Sequence, residues 1–311
     1  MNVIFMGTPD FAVPTLEMLI EEGHHISAVV TQPDKPKGRG KKSSMSPVKE
    51  VALAHDLPVL QPERIKGDES FFEHIQSLNP DVIVVVAFGQ ILPESILNIP
   101  KYGCINIHGS LLPKYRGAAP IQWSILNQEE KTGVTIMYMD KGMDTGDMLL
   151  KKEMVIDKAD TYETLHNKMK LVGVEALKEA WPLIIAGGEG REKQDSESAT
   201  YAPPIQKSMG EINWKETTLH IDAKIRGLNP WPGGYTYYKG EVMKIWKAVP
   251  SQTVETVEPG TVLEVSKEGI WVKTLDGSLL VEEIQMPNKK RMPVSEYIKG
   301  NTIEVGTLLG I

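Results

Sequence analysis

Between Asp81 and Gly89 the chain reads DVIVVVAFG, with five consecutive β-branched residues and no polar side chain between Val82 and Phe88. A strand that is apolar at every position leaves no face for water. That is how a strand of a parallel sheet reads when helices cover both its sides. Shorter runs of the same kind lie on either side: NVIFM (2–6), ISAVVT (26–31), CINIHG (104–109) and GVTIMYM (133–139). Helical patterns fall between them. One runs from Phe11 to about Glu22, and SPVKEVALAHD offers Ser46 as N-cap and Pro47 at the first helical position. A long helix follows Thr161, with Leu165, Met169, Val172 and Ala176 on one stripe. Strands alternating with helices predict a doubly wound, Rossmann-like α/β domain with a mainly parallel sheet over residues 1–189.

From Gly187 to Lys207 the pattern lapses into GGEGREKQDSESATYAPPIQK, and residues 190–206 read as a linker. Residues 207–311 hold one helical segment, 217–227, then strand-like runs near 235–238, 242–249, 260–265, 269–274 and 279–285. Such close spacing, punctuated by Gly and Pro, predicts a small β-barrel or sandwich.

With 311 residues and 41% apolar content the chain can bury two cores. No segment has the run of about 18 uncharged apolar residues of a membrane span. MNVIFMGTPDF has neither a basic n-region nor a long apolar h-region, so no signal or transit peptide is expected. A single cysteine, Cys104, fits a reducing compartment, and the expected location is the cytoplasm. The net charge of −7 argues against blanket nucleic-acid binding. The charge is uneven: residues 1–206 carry 21 Lys and Arg against 28 Asp and Glu, and residues 207–311 carry 13 of each. Inside the acidic part lies KPKGRGKK, with Lys35, Lys37, Arg39, Lys41 and Lys42. This run is either a solvated turn or an extended, mobile loop that grips phosphates.

CINIHGSLLPKYRG (104–117) sets Asn106 and His108 where a covered strand should stay apolar. Side chains alternate along a strand, so the two share a face at its C-terminal end. That is where open α/β sheets bind ligands. Burying unpaired polar groups costs about 1–3 kcal/mol each, so they are either a satisfied core pair or a site. After the strand GVTIMYM comes MDKGMDTGD, with Asp140, Asp144 and Asp147 among glycines. Its carboxylates either serve turns or face the Asn–His pair, since both loops leave strand ends. An amide, an imidazole and a carboxylate suit acyl transfer, with two donors for a developing oxyanion and a carboxylate that charges the imidazole. Ser110 lies in HGSLLP rather than a Gly-x-Ser-x-Gly elbow. None of the seven histidines has the spacing of a zinc site. GTPDFA has one glycine instead of the three of a dinucleotide fingerprint. Cys104 reads as a small buried apolar residue.

INIHGSLLPKYRGAAPIQW followed by TGVTIMYMDKGMDTGDML resembles the folate-dependent formyltransferases. The flanking segments FMGTPDFAVPTL, TQPDKPKGRGKK, VVVAFGQILP and LNPWPGGYTYYKGEVMKIWKA extend the resemblance over essentially the whole chain. It implies formyl transfer from 10-formyltetrahydrofolate, as co-substrate, to an amine. It implies catalytic roles for Asn106, His108 and Asp144, with no metal. Ser110, Leu111, Leu112 and Pro113 would line the folate site, with Gln90 and Leu92 beside the pterin and the segment from Asp140 to Asp144 closing over it. The flanking motifs imply methionyl initiator tRNA as the amine acceptor, with Lys35, Lys37, Arg39, Lys41 and Lys42 on its acceptor stem. They also imply an OB-like second domain that binds tRNA and a monomeric protein. Two other readings remain: a formyltransferase for a small amine, such as a nucleotide-linked amino sugar, and a non-catalytic RNA-binding module on the same fold.

Overall fold

The computed structural model describes residues 1–37, 42–253 and 255–310, giving only the backbone at 36, 37, 42 and 43. The chain forms two compact units. The first comprises Met1–Pro120, Thr132–Met154 and His166–Ala202, and the second Ile121–Lys131, Val155–Leu165 and Pro203–Ile311.

In the first unit the strands are β1 (Asn2–Gly7), β2 (His25–Val30), β3 (Lys35–Lys37), β4 (Lys42–Ser44), β5 (Val59–Leu60), β6 (Val82–Val86), β7 (Cys104–His108), β8 (Arg116–Gly117), β9 (Lys131–Tyr138), β10 (Met148–Val155) and β11 (Tyr201–Ala202). Seven of them form one sheet in the order β10-β9-β7-β6-β1-β2-β5. The pairs from β5 through β7 are parallel, while β9 runs antiparallel to β7. The sheet is therefore mixed. Order reverses between β1 and β6, because the chain builds β1-β2-β5 outward and then returns to β1's other edge. Thr8, just past β1, marks that reversal: its hydroxyl donates to Phe88 O at 3.2 Å and accepts from Gln32 N.

The helices up to residue 185 are α1 (Val13–Glu21), α2 (Pro47–Ala54), α3 (Glu69–Ser77), α4 (Glu94–Leu97), α5 (Pro120–Leu126) and α6 (Tyr162–Ile185), of which α5 from Ile121 on and the first turn of α6 belong to the second unit. Ser46 caps α2 as expected, its hydroxyl accepting from Lys49 N at 3.2 Å. One face of the sheet packs Ile4, Met6, Ala28, Val30, Ile83, Val85 and Cys104 against Phe71 and Ile75 of α3 and Ile96 of α4. On β7 the opposite face meets α6. A Cβ on Gly173 would lie 3.2 Å from Ile107, so the helix backbone rides close over that side.

In the second unit follow α7 (Thr218–Gly227), β12 (Gly234–Tyr238), β13 (Glu241–Ser251), β14 (Val262–Val265), β15 (Ile270–Lys273), β16 (Ser278–Gln285), β17 (Met292–Pro293) and α8 (Val294–Tyr297). They build an antiparallel sheet in the order β12-β13-β16-β15-β14, with β17 on β16. Among the described residues no ladder joins β12 to β14. Met243, Ile245, Val272, Val281 and Ile284 pack with Ile221 and Ile225 of α7, and the register irregularity of β13 against β16 between Ile245 and Ala248 lets Val281 and Ile284, three residues apart, enter the same core.

The stretch expected to be a linker, 190–206, carries structure of its own. Glu192 bridges Met148, and β11 pairs with β8 in parallel. Of the basic segment, expected to be a solvated turn or an extended, mobile loop, the described ends are paired, while residues 38–41 lie outside the described residues. Lys35, Pro36 and Lys37 pair antiparallel with Ser44, Ser43 and Lys42, so its two ends form a ladder.

Candidate active site

Asn106 and His108 stand on β7, on the face that carries Cys104 into the core, and are 9% and 6% exposed. The Asn106 amide has no hydrogen-bond partner among the described residues. His108 Nε2 lies 2.9 Å from Tyr115 O. A carbonyl only accepts, so Nε2 carries a proton and Nδ1 is left facing outward. Asp144 Oδ1 stands 3.7 Å from Nδ1, too far for a hydrogen bond but within ion-pair range. Oδ2 of Asp144 accepts from Gly117 N at 2.8 Å.

Asp144 arrives by a route that the sequence did not suggest. Because β9 is antiparallel to β7, Tyr138 pairs with Ile105 and Met139 N donates to Cys104 O. The loop after β9 thus starts beside the opposite end of β7 from His108. It folds back along the face that Asn106 and His108 share, bringing Asp144 to the imidazole. Its neck is closed by Tyr138 N donating to Asp147 O at 2.9 Å. Gly146 is required there, since a Cβ would collide with Tyr138 O. Asp140 shapes the same loop, its Oδ1 accepting from Gly142 N at 2.9 Å and from the Thr145 hydroxyl at 2.6 Å. Asp147 pairs with Arg191, which also lies over the Tyr138 ring.

The segment after β7 is held just as closely. The Ser110 hydroxyl donates to Lys114 O at 2.6 Å, and Thr135 Oγ1 joins Ser110 O to Leu112 N. Leu112 is buried with Met137 and Met148, Leu111 is half-buried, and the Leu112–Pro113 peptide is cis. Gln90 spends its side chain on the neighbouring backbone. Its Oε1 accepts from Ile65 N at 2.9 Å, and Nε2 points to Pro62 O and Glu63 O. Leu92, 2% exposed, packs into the core, whereas its neighbour Ile91 is 71% exposed. Of the basic residues, Lys35 is exposed, Lys37 and Lys42 are described only by their backbone positions in β3 and β4, and Arg39 and Lys41 lie outside the described residues.

Two further residues hold the pair's surroundings together. Arg116 is 3% exposed, and its Nε and Nη2 both donate to Gln194 Oε1, at 3.0 and 2.8 Å. Gln194 Nε2 in turn donates to Asp144 O and Gly146 O, each at 2.8 Å. Arg116 was visible as a charge in KYRG. Gln194 sits in a polar stretch without periodicity, where nothing distinguishes it. Among the described residues no group of three or more His, Cys, Asp or Glu is arranged to hold a metal ion, and no helix is long and apolar enough to cross a membrane.

The doubly wound sheet with an amide, imidazole and carboxylate at the end of β7 meets its counterpart in known families. Residues 1–181 match the family described as formyl transferase, and residues 204–302 match formyl transferase, C-terminal domain. The chain belongs to the formyl transferase family. A relative named methionyl-tRNA formyltransferase, from Clostridioides difficile (strain 630), is 58% identical over 310 residues, covering 100% of both chains. Among solved structures, the sugar 3N-formyl transferase WlaRD, crystallised with dTDP and 5-N-formyl-THF, shares the fold. It has a TM-score of 0.68 and 23% identity, over 93% of this chain and 99% of that one. HypX from Aquifex aeolicus, in complex with tetrahydrofolic acid, aligns with a TM-score of 0.64 and 16% identity. The match covers 98% of this chain but only 50% of that longer protein.

Proposed function

We propose that the chain transfers the formyl group of 10-formyltetrahydrofolate to the α-amine of methionyl initiator tRNA. The observation that carries the reading is the unspent Asn106 amide beside a His108 whose Nδ1 faces Asp144, in a chain 58% identical to a full-length methionyl-tRNA formyltransferase.

The neutral amine attacks the formyl carbon, and the bond from that carbon to N10 of the folate breaks as the tetrahedral intermediate collapses, the proton lost by the amine ending on N10. The amide of Asn106 and the Nδ1–H of His108 donate to the oxyanion. The 3.7 Å gap between Nδ1 and Asp144 leaves that proton for a substrate oxygen, while the carboxylate balances the positive ring. Asp144, directly or through water, takes the proton that the amine releases. Ser110 to Pro113 and the Gln90–Leu92 segment line the folate, the latter through its backbone and Ile91, and the loop holding Asp140 covers it.

Residues 1–189 then serve as the formyl-transferring part, with Lys35, Lys37, Arg39, Lys41 and Lys42 gripping the acceptor stem. Residues 207–311 form an OB-like tRNA-binding part. Its support is a cluster in which Lys244 Nζ and the Arg291 guanidinium lie 5.2 and 5.3 Å from the Trp246 ring centroid, beside exposed Lys289 and Lys290. The protein works as a monomer in the cytoplasm.

The test is formyl transfer to methionyl initiator tRNA, run beside free methionine, uncharged tRNA and a nucleotide-linked amino sugar. Product with the charged tRNA alone is expected. Product with the amino sugar instead would replace the proposed acceptor. Asn106→Ala should lower kcat by about 10²–10³ with folate binding retained, the usual loss for one oxyanion donor. Unchanged kcat would remove Asn106 from this role.

A further inference from the structure

Residues 190–202 lie outside the stretch that matches the formyl transferase family, which ends at 181. They nevertheless bond to Asp144 itself and to Tyr115, the residue that holds His108. Gln194 does so at Asp144: its amide bridges Asp144 O and Gly146 O, while its own oxygen takes two hydrogen bonds from Arg116. Thr200 does so at Tyr115. Its hydroxyl accepts from Tyr115 N at 2.8 Å, its carbonyl accepts from Arg116 N at 2.8 Å, and its N–H donates to Pro113 O at 3.3 Å. The carbonyl of that same Tyr115 receives His108 Nε2.

Both anchored residues are strained. Asp144 has φ 55° and Tyr115 φ 60°, left-handed conformations that cost a non-glycine residue about 1–2 kcal/mol. Such conformations persist where surrounding bonds over-determine them. At both places residues 190–202 add to the bonds that β7 and β8 supply, which are Gly117 N on the Asp144 carboxylate and His108 Nε2 on Tyr115 O. The buried Arg116 guanidinium has no carboxylate within 4 Å among the described residues, and a buried charge paired only with a neutral amide is costly to keep. Its two bonds polarise the Gln194 amide and strengthen that group as a donor.

We infer that Gln194 and Thr200 are positioning residues, through which the segment between the two family-matching regions sets the distance and orientation of His108 relative to Asp144. The inference rests on the proposed role of that pair in formyl transfer. A misplacement of about 1 Å in such a pair can cost on the order of 10² in rate, even when substrate binding survives.

Three variants test it: Thr200→Val, Thr200→Ser and Gln194→Glu. The glutamate keeps an acceptor for Arg116 and loses both donors to the Asp144 loop. Measured together are kcat and KM for methionyl initiator tRNA, the Kd of tetrahydrofolate, the melting temperature and the ring-nitrogen NMR signals of His108. Expected is a fall in kcat of about 10- to 100-fold for Thr200→Val and Gln194→Glu. KM and Kd should stay within about twofold, and Thr200→Ser should retain near-normal kcat. The His108 Nε2–H signal should stay protected from exchange in the wild type and lose that protection in Thr200→Val. Unchanged kcat in both disruptive variants overturns the inference. So does a loss in which KM, Kd and melting temperature deteriorate in parallel and serine does not rescue. If the wild type transfers no formyl group, the proposed function fails, and the His108 signal still decides the brace: retained protection in Thr200→Val overturns it, and lost protection supports it.

Discussion

Cys104, Asn106 and His108 succeed one another on a single face of β7, so one strand carries a thiol, an amide and an imidazole from core to cleft. Their environments separate their chemistry. Burial pushes the Cys104 thiol up to about 12, because nothing nearby compensates a thiolate. At pH 8 a thiol with that pKa is thiolate in only about one molecule in 10⁴, and the thiolate is the reactive form. The native protein should therefore be almost silent to iodoacetamide or a disulfide reagent at pH 8, and should react fully once unfolded. Rapid labelling of the folded protein would show that the thiol is not held this way. The polar pair was legible in the sequence because it interrupts an apolar run. Of the residues that support it, Arg116 shows in the sequence only as a charge in KYRG, and Gln194 and Thr200 look like ordinary loop residues until their partners are known.

Among elements, the loop between β9 and β10 departs furthest from expectation. Reading GVTIMYM as one more strand let Asp144 leave the same sheet edge as His108. The antiparallel pairing instead makes the chain double back across the β7 face. Strand direction is set by pairing partners far along the chain, which an apolar run does not reveal. β10, MLLKKEMV, escaped notice for a related reason: it is an edge strand whose lysines and glutamate interrupt the apolar pattern. The doubling back leaves no slack at Gly146. Gly146→Ala would place a methyl against Tyr138 O, so the neck of the loop must open. Activity should fall about 10-fold or more, as expected when a catalytic group is displaced by about 1 Å. Steady-state kinetics would check this, and near-normal kcat would mean that the neck does not govern the placement of Asp144. β3 and β4 pair the two ends of the basic run, and Arg39 between them lies outside the described residues. If Arg39 contacts a phosphate, Arg39→Ala should shallow the log–log salt dependence of tRNA affinity by about one unit or somewhat less. An unchanged slope in a filter-binding or fluorescence titration would leave the run as a solvated turn.

For the whole molecule, stability and assembly matter most. His24 is packed beside the Trp181 ring, at 4.7 Å between centroids. Burial, then the Met1 ammonium, holds its pKa below the usual imidazole value, against a smaller opposing pull from Glu22. The unfolded chain therefore binds a proton there more readily than the folded one. This contribution to stability is present above about pH 6.5 and is lost as pH falls through the folded pKa. Melting temperatures should decline over that window, and His24→Gln should flatten the decline. An identical slope in the variant would assign the acid sensitivity to other groups. The α/β sheet and a second, strand-rich part were broadly legible from runs of apolar residues. Closure of the second sheet was not, since it depends on how its ends meet.

The bracing of the His–Asp pair by residues 190–202 has a consequence for the order of events during synthesis. Asn106, His108 and Asp144 leave the ribosome early, and β1, β2, β5, β6 and β7 can pair before the last third of the chain exists. The segment that holds Tyr115 and Asp144 in their left-handed conformations emerges some fifty residues later. Until it docks, a nascent chain has the sheet without a finished centre. If Asn106, His108 and Asp144 carry the transfer as proposed, competence comes only after residues 190–202 have been made and docked, well after the three groups themselves.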